Sequence, residues 1–354
     1  MSDADGRIAV ALSGGVDSSV AAALLQEQGS HVEGVTMRLM PEWVDPLRDE
    51  DAIAAAQEVC QALGIAHHIV DFVAPFARTV IADFAAQYRD GRTPNPCILC
   101  NETIKFGALW EWARGQGFDA LATGHYARID GEHLMRAADS TKDQSYFLYR
   151  VARSRLVRIR FPLQNLTKTQ VKEYARAHTL PCAERAESQD ICFIEAGERQ
   201  PVIAPLEPDA YRSGAIVTSD GMPIGEHAGL AHYTVGQRHG LGLGGQAEPL
   251  YVIALDAQTN RLVVGTQDAL LGSEVVSTDF VIDEAALGAT SGSWEVTAQV
   301  RYHMRPMTAQ LDLTGDRMTV TFAEPVAAIS PGQSAVCYRG DVVVAGGIID
   351  ARVS

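Results

Sequence analysis

A chain of 354 residues exceeds one ordinary domain and predicts two or three. With 47% hydrophobic and 21% charged residues it can bury a large core, which excludes a disordered chain. The formal charge of −15 argues against a polyanionic partner at first sight. Local charge decides that question, however, and 142–176 carries nine Lys/Arg against two Asp/Glu. No apolar run approaches the roughly eighteen residues of a membrane span. The polar start, Met1-Ser2-Asp3-Ala4-Asp5-Gly6-Arg7, lacks the basic flank and apolar core of a signal peptide, so a cytoplasmic location is expected.

The first 125 residues alternate strand and helix signals. Strands are predicted at Arg7–Leu12, His31–Met37, Ala66–Val70 and Asp119–Thr123, with helices at Ser18–Gln28, Asp51–Leu63, Pro75–Tyr88 and Glu102–Gln116. Such repeats imply a doubly wound parallel sheet with sites at the C-terminal strand ends. From Ser145 to Thr179 the pattern is helical and basic, and Thr167 is placed to cap a helix. After the prolines of Pro201–Pro208, short alternating runs take over: Leu250–Leu255, Arg261–Val264, Trp294–Tyr302, Gln310–Leu313, Met318–Phe322 and Val342–Ile349. These predict small β modules, the last a β barrel, with a break at Leu270–Glu274. The expected domains are 1–200, 201–272 and 273–354.

Ser13-Gly14-Gly15-Val16-Asp17-Ser18-Ser19 follows the first strand and opens the first helix. Two glycines let the backbone N–H groups turn inward, and the helix N-terminus adds positive charge, which together cradle phosphate. The string has neither the Gly-Lys-Ser/Thr of a Walker loop nor Gly-x-Gly-x-x-Gly spacing. A tight turn of no catalytic meaning would need only the glycines. The full string resembles the signature of N-type ATP pyrophosphatases, which cleave ATP between the α and β phosphates.

Six cysteines in a large chain without a secretory signal point to catalytic or metal-binding use for some of them. Cys97 and Cys100 lie in Thr93-Pro94-Asn95-Pro96-Cys97-Ile98-Leu99-Cys100-Asn101, where prolines stiffen the approach to a helix carrying Lys105 and Phe106. A thiol near a helix N-terminus is expected to have a lowered pKa. A structural zinc site would need two further ligands, and the sequence has no second Cys-x-x-Cys. Cys192 stands in Ser188-Gln189-Asp190-Ile191-Cys192-Phe193-Ile194, a context that alone favours a core residue. Cys60, Cys182 and Cys337 are expected to be packing residues.

Together with Gly91–Phe106, Thr123-Gly124-His125-Tyr126, Lys142-Asp143-Gln144-Ser145-Tyr146-Phe147-Leu148, Thr234-Val235-Gly236-Gln237-Arg238 and Pro331-Gly332-Gln333-Ser334-Ala335-Val336, these segments resemble the tRNA-specific 2-thiouridylases over nearly the whole chain. The resemblance implies an adenine nucleotide alpha hydrolase-like α/β domain followed by two β-rich domains. It implies ATP-dependent 2-thiolation of the wobble uridine in tRNAs of Lys, Glu and Gln type, with Mg²⁺ at the phosphates. Cys100 would be the nucleophile and Cys192 the persulfide carrier, supplied by a cysteine desulfurase or relay protein. A Cys100–Cys192 disulfide would remain to be reduced. ATP would lie against Ala11, Leu12, Ser13, Gly14, Gly15, Val16, Asp17, Ser18, Met37 and Gly124. The tRNA would meet Asn95, Pro96, Cys97, His125, Lys142, Asp143, Gln144, Arg301, Tyr302 and Gln333.

Where the best-known pattern of that family has Asp three residues before the nucleophile, this chain has Cys97. A thiol serves as a base only with a suitable pKa. Three thiols also raise an alternative, an iron–sulfur cluster (4Fe–4S) held by Cys97, Cys100 and Cys192. A lysidine-type ligase would need no thiols, and a non-catalytic tRNA-binding module would need no nucleotide loop.

Overall fold

The computed structural model describes residues 6–185, 191–195, 197–244 and 248–353. The chain divides into two compact units. Unit 1 comprises Met1–Thr79, Cys97–Phe193 and Asp341–Val343; unit 2 comprises Val80–Pro96, Ile194–Gly340 and Val344–Ser354.

Unit 1 is built on a parallel sheet of β1 (Arg7–Ala11), β2 (His31–Arg38), β3 (His67–Asp71), β4 (Ala120–Ala122) and the two-residue strand Ile159–Arg160. The order is β3-β2-β1-β4, with Ile159–Arg160 beside β4. Ile8, Ala9 and Val10 are all fully buried, a continuous apolar run that suits a strand covered on both faces. Helix α1 (Val16–Glu27) shares Ala22 and Leu25 with a core of β1 and β4 residues and of Ala56 and Cys60 from α2 (Pro46–Leu63). Its Val16, Val20 and Ala23 join a second core with Val171 and Ala175. The doubly wound expectation holds. After β1 the next strand lies on one side and β4 on the other, so the crevice at their C-terminal ends is the topological switch point.

Two helical stretches are wound partly as π-helix. The first, α3, runs through Val73–Phe76, Ala77–Ile81 and Ala82–Arg89, with the middle segment π-helical. The second, α4, runs through Pro96–Cys100, Asn101–Ala108 and Leu109–Gly115, again with a π-helical middle. Helix α4 thus begins at Pro96 rather than at the expected Glu102. Proline fits a first helical position, where its missing N–H would have no partner anyway.

The basic stretch is less helical than expected. Only α5 (Lys168–Ala177) exceeds one turn, with one-turn pieces at Ser145–Phe147 and Arg153–Leu156. Ahead of it lies an unpredicted hairpin of β5 (Ala127–Asp130) and β6 (His133–Arg136). Thr167 caps α5 as predicted: its hydroxyl accepts from the Gln170 N–H at 3.3 Å, and Gln170 Oε1 accepts from the Thr167 N–H at 2.8 Å.

In unit 2, β7 (Gly214–Thr218), β8 (Pro223–His227), β9 (Tyr251–Asp256) and β10 (Arg261–Gly265) form one sheet, ordered β9-β10-β7-β8. A larger sheet follows from β11 (Leu271–Ser277), β12 (Asp279–Ile282), β13 (Gly292–Gln299), β14 (Met307–Thr314), β15 (Arg317–Ala327), β16 (Ser334–Arg339) and β17 (Val342–Ile348). Its order is β11-β15-β14-β13-β16-β17, and β12 pairs with β17. Thr278 alone separates β11 from β12, so the chain itself joins the two ends of this sheet and curls it into a barrel. Asp350 Oδ2 holds that corner, accepting from the Thr278 N–H and hydroxyl, each at 2.7 Å. The expected break at Leu270–Glu274 runs into β11.

Replacing Thr167 by alanine removes the α5 cap and is expected to lower stability by about 1 kcal/mol. Urea unfolding followed by circular dichroism measures it; an unchanged midpoint would show that the cap carries no stability.

Candidate functional site

The nucleotide loop leaves β1 at Ala11. Leu12 is buried and its N–H donates to the Val35 carbonyl at 2.8 Å, tying the loop to β2. Gly14 has φ +70°, and a Cβ there would lie 2.5 Å from the Ala55 methyl. Gly15 caps α1, and its carbonyl accepts from the hydroxyls of Ser18 at 3.1 Å and Ser19 at 2.8 Å. Ser13 is exposed, Val16 is buried and Met37 is half-buried near the end of β2. The expected ATP-binding residues therefore converge on the switch-point crevice.

The segment Thr123–Tyr126, just after β4, closes onto this loop. A Cβ on Gly124 would lie 2.6 Å from the Ser18 nitrogen and 2.7 Å from the Asp17 carbonyl carbon, so only glycine fits. The Tyr126 hydroxyl donates to Asp17 Oδ1 at 2.8 Å. Lys168 Nζ donates to both Asp17 oxygens, at 2.6 and 2.8 Å, from a buried side chain. Arg185 Nη1 donates to the Gly14 carbonyl at 3.2 Å. Lys168 and Arg185 thus add two cations to the cradle, which the sequence reading missed. Asp17 and Lys168 stand 151 residues apart, and no local pattern links them.

On its other side the same segment carries His125, whose ring packs 5.8 Å from that of Phe106 and 6.1 Å from that of Phe161. Burial first, and then the Lys105 charge, holds His125 well below the ordinary histidine pKa, so it is neutral. Thr123 Oγ1 and His125 Nδ1 share a hydrogen bond of 2.8 Å.

The thiols lie within α4 rather than on a turn before it. Cys97 and Cys100 are separated by one helical turn. Burial raises the pKa of Cys97, opposed by Lys105. Burial likewise pushes Cys100 up to about 11, with Lys105 opposing and Cys97 adding. The expected lowering by the helix N-terminus is therefore outweighed by desolvation. Cys192 is exposed, so an outside donor can reach it. Surrounding protein still raises its pKa, as do Cys100 and Cys97, while Lys105 and Arg48 oppose. Its neighbours Ser188, Gln189 and Asp190 lie outside the described residues. Cys60, Cys182 and Cys337 are buried, as expected of packing residues.

Cys97, Cys100, Cys192 and His125 thus share one electrostatic neighbourhood around Lys105. Among the described residues no group of three or more His, Cys, Asp or Glu side chains stands placed to hold a metal ion. The three thiols therefore do not form such a group among the described residues.

The remaining expected contacts are distributed. Asp143 accepts from the Ala137 N–H at 2.9 Å and the Ser145 hydroxyl at 2.8 Å. Gln144 Oε1 accepts from the Tyr126 N–H at 2.9 Å, so both side chains brace their own loop. Lys142 is half-buried beside them. In unit 2, Asn95 is half-buried and Pro96 buried, and Gln333 Nε2 donates to the Thr93 carbonyl at 2.7 Å. Arg301 and Tyr302 lie in the turn beyond β13 rather than on an alternating strand; Arg301 Nη1 donates to the Ala327 carbonyl at 3.0 Å.

The thiolate is the form that alkylates, so a pKa near 11 leaves about one Cys100 in a thousand reactive at pH 8. Iodoacetamide labelling of Cys100, read by peptide mass spectrometry, is expected to rise towards pH 11. A half-maximum near the free-thiol value of about 8.5 would contradict the burial. Because the folded pKa is raised, the stability that this thiol contributes is present below about pH 8.5 and is lost as pH climbs through about 11.

Comparison with known proteins places this arrangement. Three family models match in succession: a tRNA methyl transferase HUP domain over residues 6–196, a tRNA methyl transferase PRC-barrel domain over 208–266, and an aminomethyltransferase beta-barrel domain over 274–349. The tRNA-specific 2-thiouridylase MnmA of Chloroflexus aggregans is 45% identical over 354 residues, covering 97% of this chain and 98% of its own. That of Acidithiobacillus ferrooxidans is 43% identical over 353 residues, covering 98% and 99%. A solved structure, the U34-tRNA thiolase NcsA from Methanococcus maripaludis with its 4Fe-4S cluster, shares 23% identity over 57% of this chain and 65% of its own, with a TM-score of 0.37 that carries no argument. On nearly full-length identity, this chain belongs to the tRNA-specific 2-thiouridylase family.

Proposed function

We propose that this chain uses ATP to activate the C2 oxygen of a tRNA wobble uridine and replaces that oxygen with sulfur. The observation that carries the reading is the segment Thr123–Tyr126. Gly124 touches the nucleotide loop, Tyr126 bonds to its Asp17, and His125 faces the cation shared by the three thiols. Adenylation and sulfur chemistry are thereby kept on one short piece of chain.

The uridine oxygen attacks the α-phosphorus of ATP, and pyrophosphate leaves. The cradle of loop N–H groups, Lys168 and Arg185 suits the charge that builds there. Mg²⁺, if bound with the nucleotide, would be held mainly by phosphate oxygens near Asp17, the loop's one carboxylate, and would neutralise charge on the leaving pyrophosphate. Cys100 thiolate then attacks the inner sulfur of a Cys192 persulfide, forming the Cys100–Cys192 disulfide and releasing hydrosulfide. Hydrosulfide attacks C2, AMP departs with the former oxygen, and an outside dithiol reduces the disulfide. Cys97, with its pKa raised by burial, is protonated at neutral pH, so it does not fill the base role of the aspartate that it replaces.

The persulfide comes from a cysteine desulfurase or a relay protein, which the exposure of Cys192 allows. For tRNA we propose contacts of Asn95, Pro96, Cys97 and His125 with the target base, and of Lys142, Arg301, Tyr302 and Gln333 with the anticodon stem-loop. Asp143 and Gln144 support that contact by holding their loop. We divide the chain at about 200 and 272, where the matched family domains give way to one another, and place it in the cytoplasm. Among the described residues, no helix is long and apolar enough to cross a membrane.

Cys192→Ser is expected to abolish 2-thiouridine formation while leaving tRNA-dependent pyrophosphate release, read by thin-layer chromatography of γ-labelled ATP. Cys100→Ser should lose thiolation as fully. Thiolation by the Cys192 variant at the rate of the parent would overturn the carrier assignment.

A further inference from the structure

Lys105 had no part in the expected site, yet its charge bears on all three thiols there. In an α-helix, residue i+5 is rotated ~140° away from residue i. The segment Asn101–Ala108 is wound instead as a π-helix, whose i→i+5 bonding returns residue i+5 towards the face of residue i. The winding is visible where the Leu109 N–H donates to the Ile104 carbonyl. Its register places Lys105 over the turn that carries Cys100.

Specific partners hold this uncommon winding. Thr103 Oγ1 donates to the Leu99 carbonyl at 2.7 Å, and Arg155 Nη1 donates to the Phe106 carbonyl at 2.8 Å. Asn101 Nδ2 donates to the Phe147 carbonyl at 3.0 Å, and Arg150 Nε pairs with Glu102 at 2.7 Å. Each of these bonds either occupies a helix carbonyl or anchors the segment to its surroundings.

Lys105 itself is half-buried and has no hydrogen bond or ion pair among the described residues. It nevertheless acts on Cys97, Cys100, Cys192 and His125. Lys105 and Arg48 both oppose the rise in the Cys192 pKa. A half-buried ammonium with no ion pair among the described residues is suited to receive an anion that forms during the reaction.

We propose that Lys105 is the positioning residue of the sulfur step, its ammonium set by the π-turn to hold the Cys100 thiolate and then the charge that passes to the sulfur leaving Cys192. The inference rests on the proposed thiolation for the second role, and for the first on the π-turn register together with the charge that Lys105 brings to the thiols. It adds no reactant: the ammonium keeps its protons and stabilises charge that the thiol exchange already generates.

Two readouts on Lys105→Met, Lys105→Arg and the parent protein test this. Iodoacetamide labelling of Cys100 at pH 9, which needs neither ATP nor tRNA, is expected to slow about tenfold in Lys105→Met, as for one unit of thiol pKa, and to recover in Lys105→Arg. In single turnover with a persulfide-loaded protein, Lys105→Met should release pyrophosphate at the parent rate but form 2-thiouridine, and AMP with it, at least tenfold more slowly. Labelling of the Met variant at the parent rate, or absence of recovery with Arg while circular dichroism shows an intact fold, overturns the proposal. Equal losses of pyrophosphate release and 2-thiouridine would also overturn it, placing Lys105 at the nucleotide instead. Normal labelling shifts with no thiolation by the parent protein would instead remove the thiolation reading and leave the thiolate-holding role intact.

Discussion

The site depends on the close approach of Gly124 to the start of α1. At 2.6 Å from the Ser18 nitrogen, the position of a Cβ is already occupied, so the end of β4 can press directly on the nucleotide loop. That contact makes the flanking residues useful. Tyr126 reaches back to Asp17, and His125 reaches forward to the helix that carries the thiols. A bulkier residue would push the segment off the loop and separate the two halves of the site. The sheet order explains why this happens here: β1 and β4 are neighbours whose following chains leave the same crevice.

Charge is arranged on the same local scale. The whole chain carries −15, yet the crevice gathers Lys168 and Arg185, and the thiols gather Lys105 and Arg48. Lys168 is buried and fully engaged with Asp17, a paired charge that holds the loop's shape. Lys105 is the contrasting case, a half-buried cation with no ion pair among the described residues. Burial raises Cys97 and Cys100 above their ordinary range, and surrounding protein and the other thiols raise Cys192, so thiolate here is a state that the site must stabilise when it is needed.

Most of the framework was legible because its signals are local. The apolar runs of β1, β2 and β3, the glycine loop and the Thr167 cap all depend on neighbours a few residues away, and the structure has each of them. The β5–β6 hairpin had a readable cue in Asp130-Gly131, which the basic run beyond it obscured. The π winding of α4 had none, since it depends on Arg155 and Phe147, some fifty residues downstream. Pairing of Asp17 with Lys168 was invisible for the same reason. The lowered thiol pKa expected at a helix start failed because sequence shows position along a helix but not depth in the protein. Cys100 is buried, and desolvation outweighs the helix end.

The central claim is that one chain couples ATP cleavage to sulfur transfer at a tRNA uridine. The most direct measurement incubates unmodified tRNA with the protein, ATP and a persulfide source, then analyses digested nucleosides by mass spectrometry and the nucleotide by chromatography. The account predicts 2-thiouridine together with an equal amount of AMP, both absent when ATP is withheld. Sulfur incorporation without AMP, or AMP without 2-thiouridine from a persulfide-loaded protein, would contradict it.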